Sequence, residues 1–187
     1  MKISGVDIRP GNIIEYEGGI WRAVKIQHTQ PGKGGAYMQV EMKNLIDGRK
    51  TNVRFRSAET VERVRLDTKD YQYLYHDGDM LVFMDTDTYD QITVPAATVG
   101  DAANFMLEST SAMVATNEGV PLYVELPPSA VLMVTYTEPG LQGDRSSAGT
   151  KSATVETGYE IQVPLFVEQG TKVKVDTRTG DYLGRVN

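Results

Sequence analysis

Short stretches in which apolar and polar residues alternate, separated by glycine-containing turns, recur along the whole chain. Val53 and Phe55 alternate with Arg54 and Arg56, and residues 172–175 alternate lysine with valine. Alternation with a period of two is typical of strands that bury one face and expose the other. These candidate strands fall into three successive sets, so the sequence predicts an all-β fold.

The three sets of strands predict three domains. Four or five strands in the first set are enough to close a small SH3-like barrel, and about five strands in about 60 residues suit an OB-fold barrel for each of the others. We place boundaries near Arg65 and at Pro127-Pro128, because adjacent prolines donate no backbone hydrogen bond. The predicted domains are residues 1–65, 66–128 and 129–187.

Two local features depart from this strand pattern. Residues 101–109 are the best helix candidate, with Asp101 as the expected cap. Pro164 lies inside a strand pattern, which predicts an edge strand or a bulge there.

Charge is unevenly distributed along the 187 residues. Residues 1–65 carry twelve Lys or Arg and seven Asp or Glu, a net of +5, whereas residues 66–128 carry −10 and residues 129–187 carry −1. The asymmetry indicates a polyanion-binding module joined to something else, and it equally fits an ordinary solvated surface.

Several chemistries are excluded or disfavoured. The chain has no cysteine, and His28 and His76 are its only histidines, which excludes a histidine-rich metal site. Asp85, Asp87 and Asp90 resemble the start of a calcium loop, but the spacing fails beyond Asp87, so we predict a solvated acidic turn and no metal. Common hydrolase motifs are missing. Without an apolar leader or membrane-length run, we expect a soluble cytoplasmic protein.

The glycine-rich segment at residues 30–36 joins two strand candidates and is predicted to form a hairpin tip. Its proline stiffens the loop, its glycines permit positive φ and close approach to another surface, and its lysine is the one bulky side chain at the apex. These residues are Pro31, Gly32, Lys33, Gly34 and Gly35. On its own the pattern is more typical of an ordinary turn with a solubilising lysine, and it lacks the Walker A spacing.

Four separated segments, in the same order, make the chain resemble the bacterial elongation factor P family over essentially its whole length. They are PGKGGA at 31–36 with Lys43-Asn44-Leu45, Tyr73-Leu74-Tyr75 with Asp77-Gly78, Pro139-Gly140-Leu141 with Gly143-Asp144, and the run from Lys151 to Gly170 that contains Val163-Pro164 and Phe166.

The resemblance implies an L-shaped arrangement of three β-barrels, an SH3-like (KOW-type) barrel followed by two OB-fold barrels. It also implies a non-enzymatic translation factor without a cofactor. Such a factor binds the 70S ribosome between the P and E sites and stimulates peptide-bond formation at consecutive prolines. Lys33 is expected to reach the CCA end of the P-site peptidyl-tRNA and to be a candidate for covalent modification by a lysine-modifying enzyme.

Further contacts follow from the same resemblance. The Gly143-Asp144 loop corresponds to the family loop that approaches the E-site mRNA codon, and Arg145 stands where threonine is common. Strand alternation points Arg54 and Arg56 outward, which makes them candidate RNA contacts. A monomer is expected.

Two other functions are compatible with parts of the sequence. A generic KOW/OB RNA-binding protein without a peptidyl-transfer role would need the basic first segment but not the lysine tip. An enzyme that used the acidic middle segment would need paired carboxylates in a pocket, whereas these acids occur mostly in turn-like stretches.

Overall fold

The computed structural model describes residues 1–140 and 149–187. Within these ranges, sixteen strands form three antiparallel sheets, and helical structure is limited to three short segments. The all-β prediction is confirmed. The chain divides into two compact units, one of Met1–Thr68 with Ala115–Tyr123 and one of Lys69–Val114 with Val124–Asn187. No helix among the described residues is long and apolar enough to cross a membrane.

The first sheet has six strands around a core that includes fully buried Ile14, Val40 and Met42. A 3-10 segment, Gly5–Asp7, follows the first strand. Gly5 packs so tightly that a methyl group there would collide with the carbonyl oxygen of Arg56. The strands are β1 (Lys2–Ser4), β2 (Ile13–Tyr16), β3 (Gly19–Thr29), β4 (Tyr37–Asn44), β5 (Lys50–Arg56) and β6 (Thr60–Arg63), in the order β1-β6-β2-β3-β4-β5.

The second sheet has five strands and the only α-helical turn in the described ranges, α1 (Ala96–Val99), which continues as a 3-10 segment over Gly100–Phe105. The predicted helix at 101–109 is therefore wrong in its limits. Its cap is also wrong, because the helix starts after Pro95 without a side-chain cap. Ser109 has φ +73°, a left-handed conformation that a helix cannot include. The strands are β7 (Asp67–Asp77), β8 (Met80–Asp85), β9 (Gln91–Pro95), β10 (Ser111–Asn117) and β11 (Val120–Glu125), in the order β11-β10-β7-β8-β9.

The third sheet buries a cluster of valines, and its lysines and valines at 172–175 alternate outward and inward as predicted. Pro164 ends an edge strand, as expected for a residue without an N–H donor. The strands are β12 (Ser129–Thr137), β13 (Thr150–Val155), β14 (Glu160–Pro164), β15 (Lys172–Asp176) and β16 (Tyr182–Val186), in the order β14-β13-β12-β15-β16.

Phe105 comes from the middle of the chain but is buried in the core of the third sheet, where it is 4% exposed. Its ring meets Tyr159 edge to face at 5.3 Å between centroids. The Thr157 hydroxyl donates a 2.6 Å hydrogen bond to the carbonyl of Asn104, the preceding residue. The segment before β10 and the third sheet thus share one core within the second unit. The domain limits 1–65, 66–128 and 129–187 stay predictions, since the two units follow a different division.

Truncating this shared aromatic should destabilise the fold strongly. Phe105→Ala removes a buried ring that the neighbouring side chains cannot replace, so we expect the free energy of unfolding to fall by about 3–5 kcal/mol. Urea unfolding followed by far-UV circular dichroism measures it. Phe166→Ala is the matched control, because Phe166 is 57% exposed and should shift stability by about 0.5 kcal/mol or less. Equal losses from the two substitutions would contradict the shared core.

Candidate nucleic-acid interface

Lys33 lies at an exposed tip beyond the end of a long hairpin. Strands β3 and β4 pair up to Thr29 and Tyr37, and the seven residues between them leave the sheet. Lys33 is exposed, and in the ranges 1–140 and 149–187 no ion pair or hydrogen bond reaches its side chain. The structure therefore places Lys33 as the sequence predicts, while its role stays a prediction.

The glycines around Lys33 have open space on their outer side. No atom lies within 4 Å of where a side chain would start at Gly32, Gly34 or Gly35. Of the three, Gly34 alone has a positive φ, +101°, so the left-handed conformation is needed at one position rather than at all. Pro31 is exposed as well. The glycines of the tip leave this side open, so a partner can approach its backbone closely.

Strands β3, β4 and β5 present one face that is rich in cations. Their register aligns Arg22 with Lys43 and Lys43 with Lys50, and it aligns Gln39 with Arg54. Glu41 is the one acid among these outward residues. We call this surface the basic face; its exposed cations are Arg22, Lys25, Lys43, Lys50, Arg54 and Arg56.

A β-bulge at Val24 makes this arrangement possible. The register shifts between Ala23, which pairs with Met42, and Lys25, which pairs with Glu41. Simple alternation after Arg22 would send Lys25 inward, but the extra residue rotates it to the outer face. This is why inward and outward residues alternate only roughly along β3.

Arg54 and Arg56 are both exposed on β5, as alternation predicts, with Phe55 buried between them. The Arg54 guanidinium stacks on the Tyr37 ring with Cζ 4.2 Å from the ring centroid. This contact orients the planar cation and keeps its charge available. Tyr37, Arg54 and Arg56 line, together with Gly35, a shallow hollow at the base of the tip.

The cations of the basic face form no ion pairs within residues 1–140 and 149–187. The ion pairs among the described residues are Met1–Glu62, Arg49–Asp47, Arg65–Asp67 and Lys69–Asp85, and none uses a cation of the basic face. Unpaired cations along a continuous surface are typical of sites that bind phosphates.

Sequence reasoning missed four of these six cations. It named Arg54 and Arg56 from their own strand, but Arg22, Lys25, Lys43 and Lys50 join them only through cross-strand pairing. The other candidate contacts, Gly143, Asp144 and Arg145, lie outside the described residues.

The acidic turn after β8 is a structural element. Asp85 is 5% exposed, and its Oδ1 accepts N–H groups from Asp87 at 2.8 Å and Thr88 at 3.2 Å. These backbone hydrogen bonds, assisted by the Lys69 ammonium, hold the pKa of the Asp85 carboxyl below its ordinary value. Within the described ranges, no group of three or more His, Asp or Glu is arranged to hold a metal ion.

Three family models match consecutive parts of the chain. The elongation factor P KOW-like domain matches residues 4–61, the elongation factor P OB domain matches residues 66–124, and the elongation factor P C-terminal model matches residues 130–185. The fold and these matches define the class of protein, a translation elongation factor rather than an enzyme.

Two relatives that align with nearly the full length of this chain identify its family. Elongation factor P of Kocuria rhizophila is 61% identical over 181 residues, and that of Paenarthrobacter aurescens is 62% identical over 181 residues, with 97% of each chain covered in both cases. The chain belongs to the elongation factor P family.

Two solved structures of low sequence identity have a similar fold over about two thirds of this chain. Eukaryotic translation initiation factor 5A from Methanococcus jannaschii has a TM-score of 0.51 at 21% identity, over 66% of this chain and 93% of its own. A translation initiation factor 5A family protein from Naegleria fowleri has a TM-score of 0.54 at 13% identity, over 67% of this chain and 98% of its own.

Reversing charge on the basic face should weaken RNA binding and reduce its dependence on salt. For Arg54→Glu with Arg56→Glu, we expect weaker binding to deacylated tRNA and a log–log salt slope smaller by about one to two, because fewer counterions are released. Fluorescence anisotropy at several salt concentrations measures both quantities. Arg63→Glu with Arg65→Glu makes the same change of charge outside β3, β4 and β5. Equal effects from both pairs would show that net charge, not this face, binds RNA.

Removing the charge of Asp85 should destabilise the protein in a pH-dependent way. The folded-state pKa is depressed, so the carboxylate stabilises the fold above its unfolded-state pKa of about 3.9, and this contribution is lost as pH falls through the folded-state pKa. Asp85→Asn should lower the free energy of unfolding at pH 7, and its deficit should shrink below pH 4. Denaturant unfolding at pH 7, 4 and 2 tests this, with exposed Asp87→Asn as the control. A deficit that is constant with pH would contradict it.

Proposed function

We propose that this elongation factor binds the 70S ribosome between the P and E sites and stimulates peptide-bond formation at consecutive prolines. In this proposal Lys33 positions the P-site peptidyl-tRNA. The observation that carries it is the exposed Lys33 at the end of a hairpin whose two strands, with β5, form the basic face. One sheet thus joins a cationic surface to a protruding cation.

The basic face supports binding along the acceptor arm of the tRNA. Its six unpaired cations lie on three adjacent strands, and contacts to phosphates fix the register and orientation of a protein on RNA without reading its sequence. With the face held on phosphates, the tip extends toward the CCA end. The ammonium of Lys33 is a compact charge on a flexible stem, which suits a crowded environment of phosphates.

The catalytic benefit is positional and needs no bond-breaking group on the factor. Proline is a constrained nucleophile, and its fixed φ favours unproductive geometries of the nascent chain. Holding the peptidyl-tRNA in its reactive arrangement removes part of the entropic barrier to reaction. The proposal therefore includes no cofactor.

The middle segment has the opposite electrostatic role in this proposal. Residues 66–128 carry one base and eleven acids, a net charge of −10. Such a segment repels phosphates, so RNA binding is confined to surfaces outside it. We infer a cytoplasmic monomer in which the Gly143-Asp144 loop, with Arg145, approaches the E-site mRNA codon.

A lysine-modifying enzyme is a further partner within the proposal. Lys33 has free access, because its side chain is exposed and no atom lies within 4 Å of where a side chain would start at the flanking glycines. Covalent extension of the side chain would lengthen its reach toward the tRNA. Intact mass of the native protein, with a mass increment localised to Lys33, tests this part.

A generic KOW/OB RNA-binding role is the second candidate, and the basic face favours it equally. The two candidates differ at the tip, because general RNA binding does not need Lys33. Co-sedimentation with 70S ribosomes and a polyproline assay therefore separate them.

Lys33→Ala should separate activity from folding. We expect stability to change by about 0.5 kcal/mol or less, because the exposed tip buries no core surface. Stimulation of synthesis on a Pro-Pro-Pro template should be abolished or strongly reduced in a reconstituted translation system, while ribosome binding weakens less. Lys50→Ala, which removes one cation from the face but leaves the tip, is the matched control and should retain most of the stimulation.

Two outcomes of this assay would contradict the proposal. Equal stimulation by wild type and Lys33→Ala would remove the tip lysine from the mechanism. An equal defect on templates without proline would indicate a general ribosomal role.

A further inference from the structure

One of the four phenylalanines has an exposed ring, whereas the other three are buried. Phe55, Phe83 and Phe105 are 2%, 0% and 4% exposed, whereas Phe166 is 57% exposed. A single exposed apolar side chain is ordinary by itself. The surroundings of Phe166 make it a candidate binding site.

The Phe166 ring carries a stacked cation. The guanidinium of Arg185, on the edge strand β16, lies with Cζ 4.7 Å from the ring centroid. Arg185 is exposed and forms no ion pair with any acid in the ranges 1–140 and 149–187. The pair thus presents an aromatic surface beside a charge that no described acid compensates.

The backbone around Phe166 is held firmly. The N–H of Val167, which is fully buried, donates to the carbonyl of Pro164 at 3.1 Å in the turn that follows β14. On the preceding side, Leu165 packs so closely against Gly140 that a side chain at Gly140 would collide with it. With both neighbours packed, the ring of Phe166 is presented outward without a large ordering cost on binding.

A second cation lies near the end of β14. Lys151, in the start of β13, pairs with Val163, three residues before Phe166. Its ammonium donates a 2.6 Å hydrogen bond to the carbonyl of Glu138 and forms no ion pair in the part of the chain that the structure describes. Lys172 does not join this group, because it pairs with Val186 and alternation turns it to the face opposite Arg185.

We propose that Phe166 and Arg185 form a stacking site for one unpaired nucleotide of single-stranded RNA. A base would lie on the Phe166 ring, and the adjoining phosphate would meet the Arg185 guanidinium. Aromatic and guanidinium planes in a positively charged surface are the usual components of such sites, and the strand order β14-β13-β12-β15-β16 is that of an OB-fold barrel. The Arg185 guanidinium and the nearby Lys151 ammonium, neither of which is in an ion pair among the described residues, favour RNA over an apolar protein partner. The site is independent of Lys33.

The composition of the chain supplies a selective probe. Of the four phenylalanines, Phe166 alone is exposed, so protein labelled with 4-fluorophenylalanine should give one 19F resonance that responds directly to a ligand. Phe166→Leu identifies that resonance by removing it. Titration with hexaadenylate should move it with saturation, while the resonances of the three buried rings stay nearly unchanged.

Arginine variants test the cation of the site. Arg185→Gln should weaken hexaadenylate binding at the Phe166 resonance by about 5- to 150-fold, which corresponds to the range of one stacking contact. Arg178→Gln removes an exposed cation from the turn at the other end of β15 and should change the affinity less than twofold. Lys33→Ala should leave this titration unchanged, which separates the site from the proposed action of the tip.

Several results would overturn the proposal. These are an unmoved Phe166 resonance, an equal shift with polyphosphate of matched charge, and equal losses from Arg178→Gln and Arg185→Gln. A Phe166→Ala variant that loses affinity for 70S ribosomes, while hexaadenylate never moves the resonance, would instead assign Phe166 to a protein contact and refute RNA stacking.

Discussion

The backbone pairing between β3, β4 and β5 is the constraint on which the candidate site depends. Pairing register decides which side chains face the core, and one residue of slippage would exchange the two faces. The bulge at Val24 is part of this register, because it keeps Lys25 on the same side as Arg22. The ladder therefore builds the buried core around Val40 and Met42 and the basic face at the same time. It also carries the tip, since the loop begins where the ladder ends.

In the first sheet, the residues that stabilise the fold differ from the residues that we propose bind RNA. Buried methionines and valines hold the first sheet together, whereas the cations above them contribute little to the core. Exposed charges without partners add little stability in water, but they remain available to a polyanion. The same separation recurs in the third sheet, where buried valines support the exposed pair of Phe166 and Arg185.

Much of the fold follows from local patterns in the sequence. Alternation at 53–56 and at 172–175 correctly gave both the strands and their exposed faces, and Pro164 marked an edge strand. The glycine-rich loop could be predicted from its three glycines, because glycine is unfavourable inside strands and helices. The four further cations of the basic face were not accessible in this way, because their proximity depends on pairing between strands and on one bulged residue.

The helix shows a different limit. Residues 101–109 have helical spacing, yet the chain uses Phe105 to fill the core of the third sheet and turns to a left-handed conformation at Ser109. Tertiary packing over a long sequence separation outweighs local propensity here. The periodicity of residues 101–109 gives no sign that Phe105 is buried in a distant sheet.

The isolation of the tip has a consequence for the evolution of such a chain. Residues 30–35 are exposed, and no atom lies within 4 Å of where a side chain would start at the three glycines among them. Substitutions there encounter little packing constraint, although the φ of +101° at Gly34 still favours glycine. Selection can then act on the chemistry of the apex without compensating changes elsewhere in the protein. A lineage could exchange the apical residue while the scaffold that presents it drifts independently. The apex is in this sense an exchangeable position, which the surrounding fold restricts mainly at Gly34.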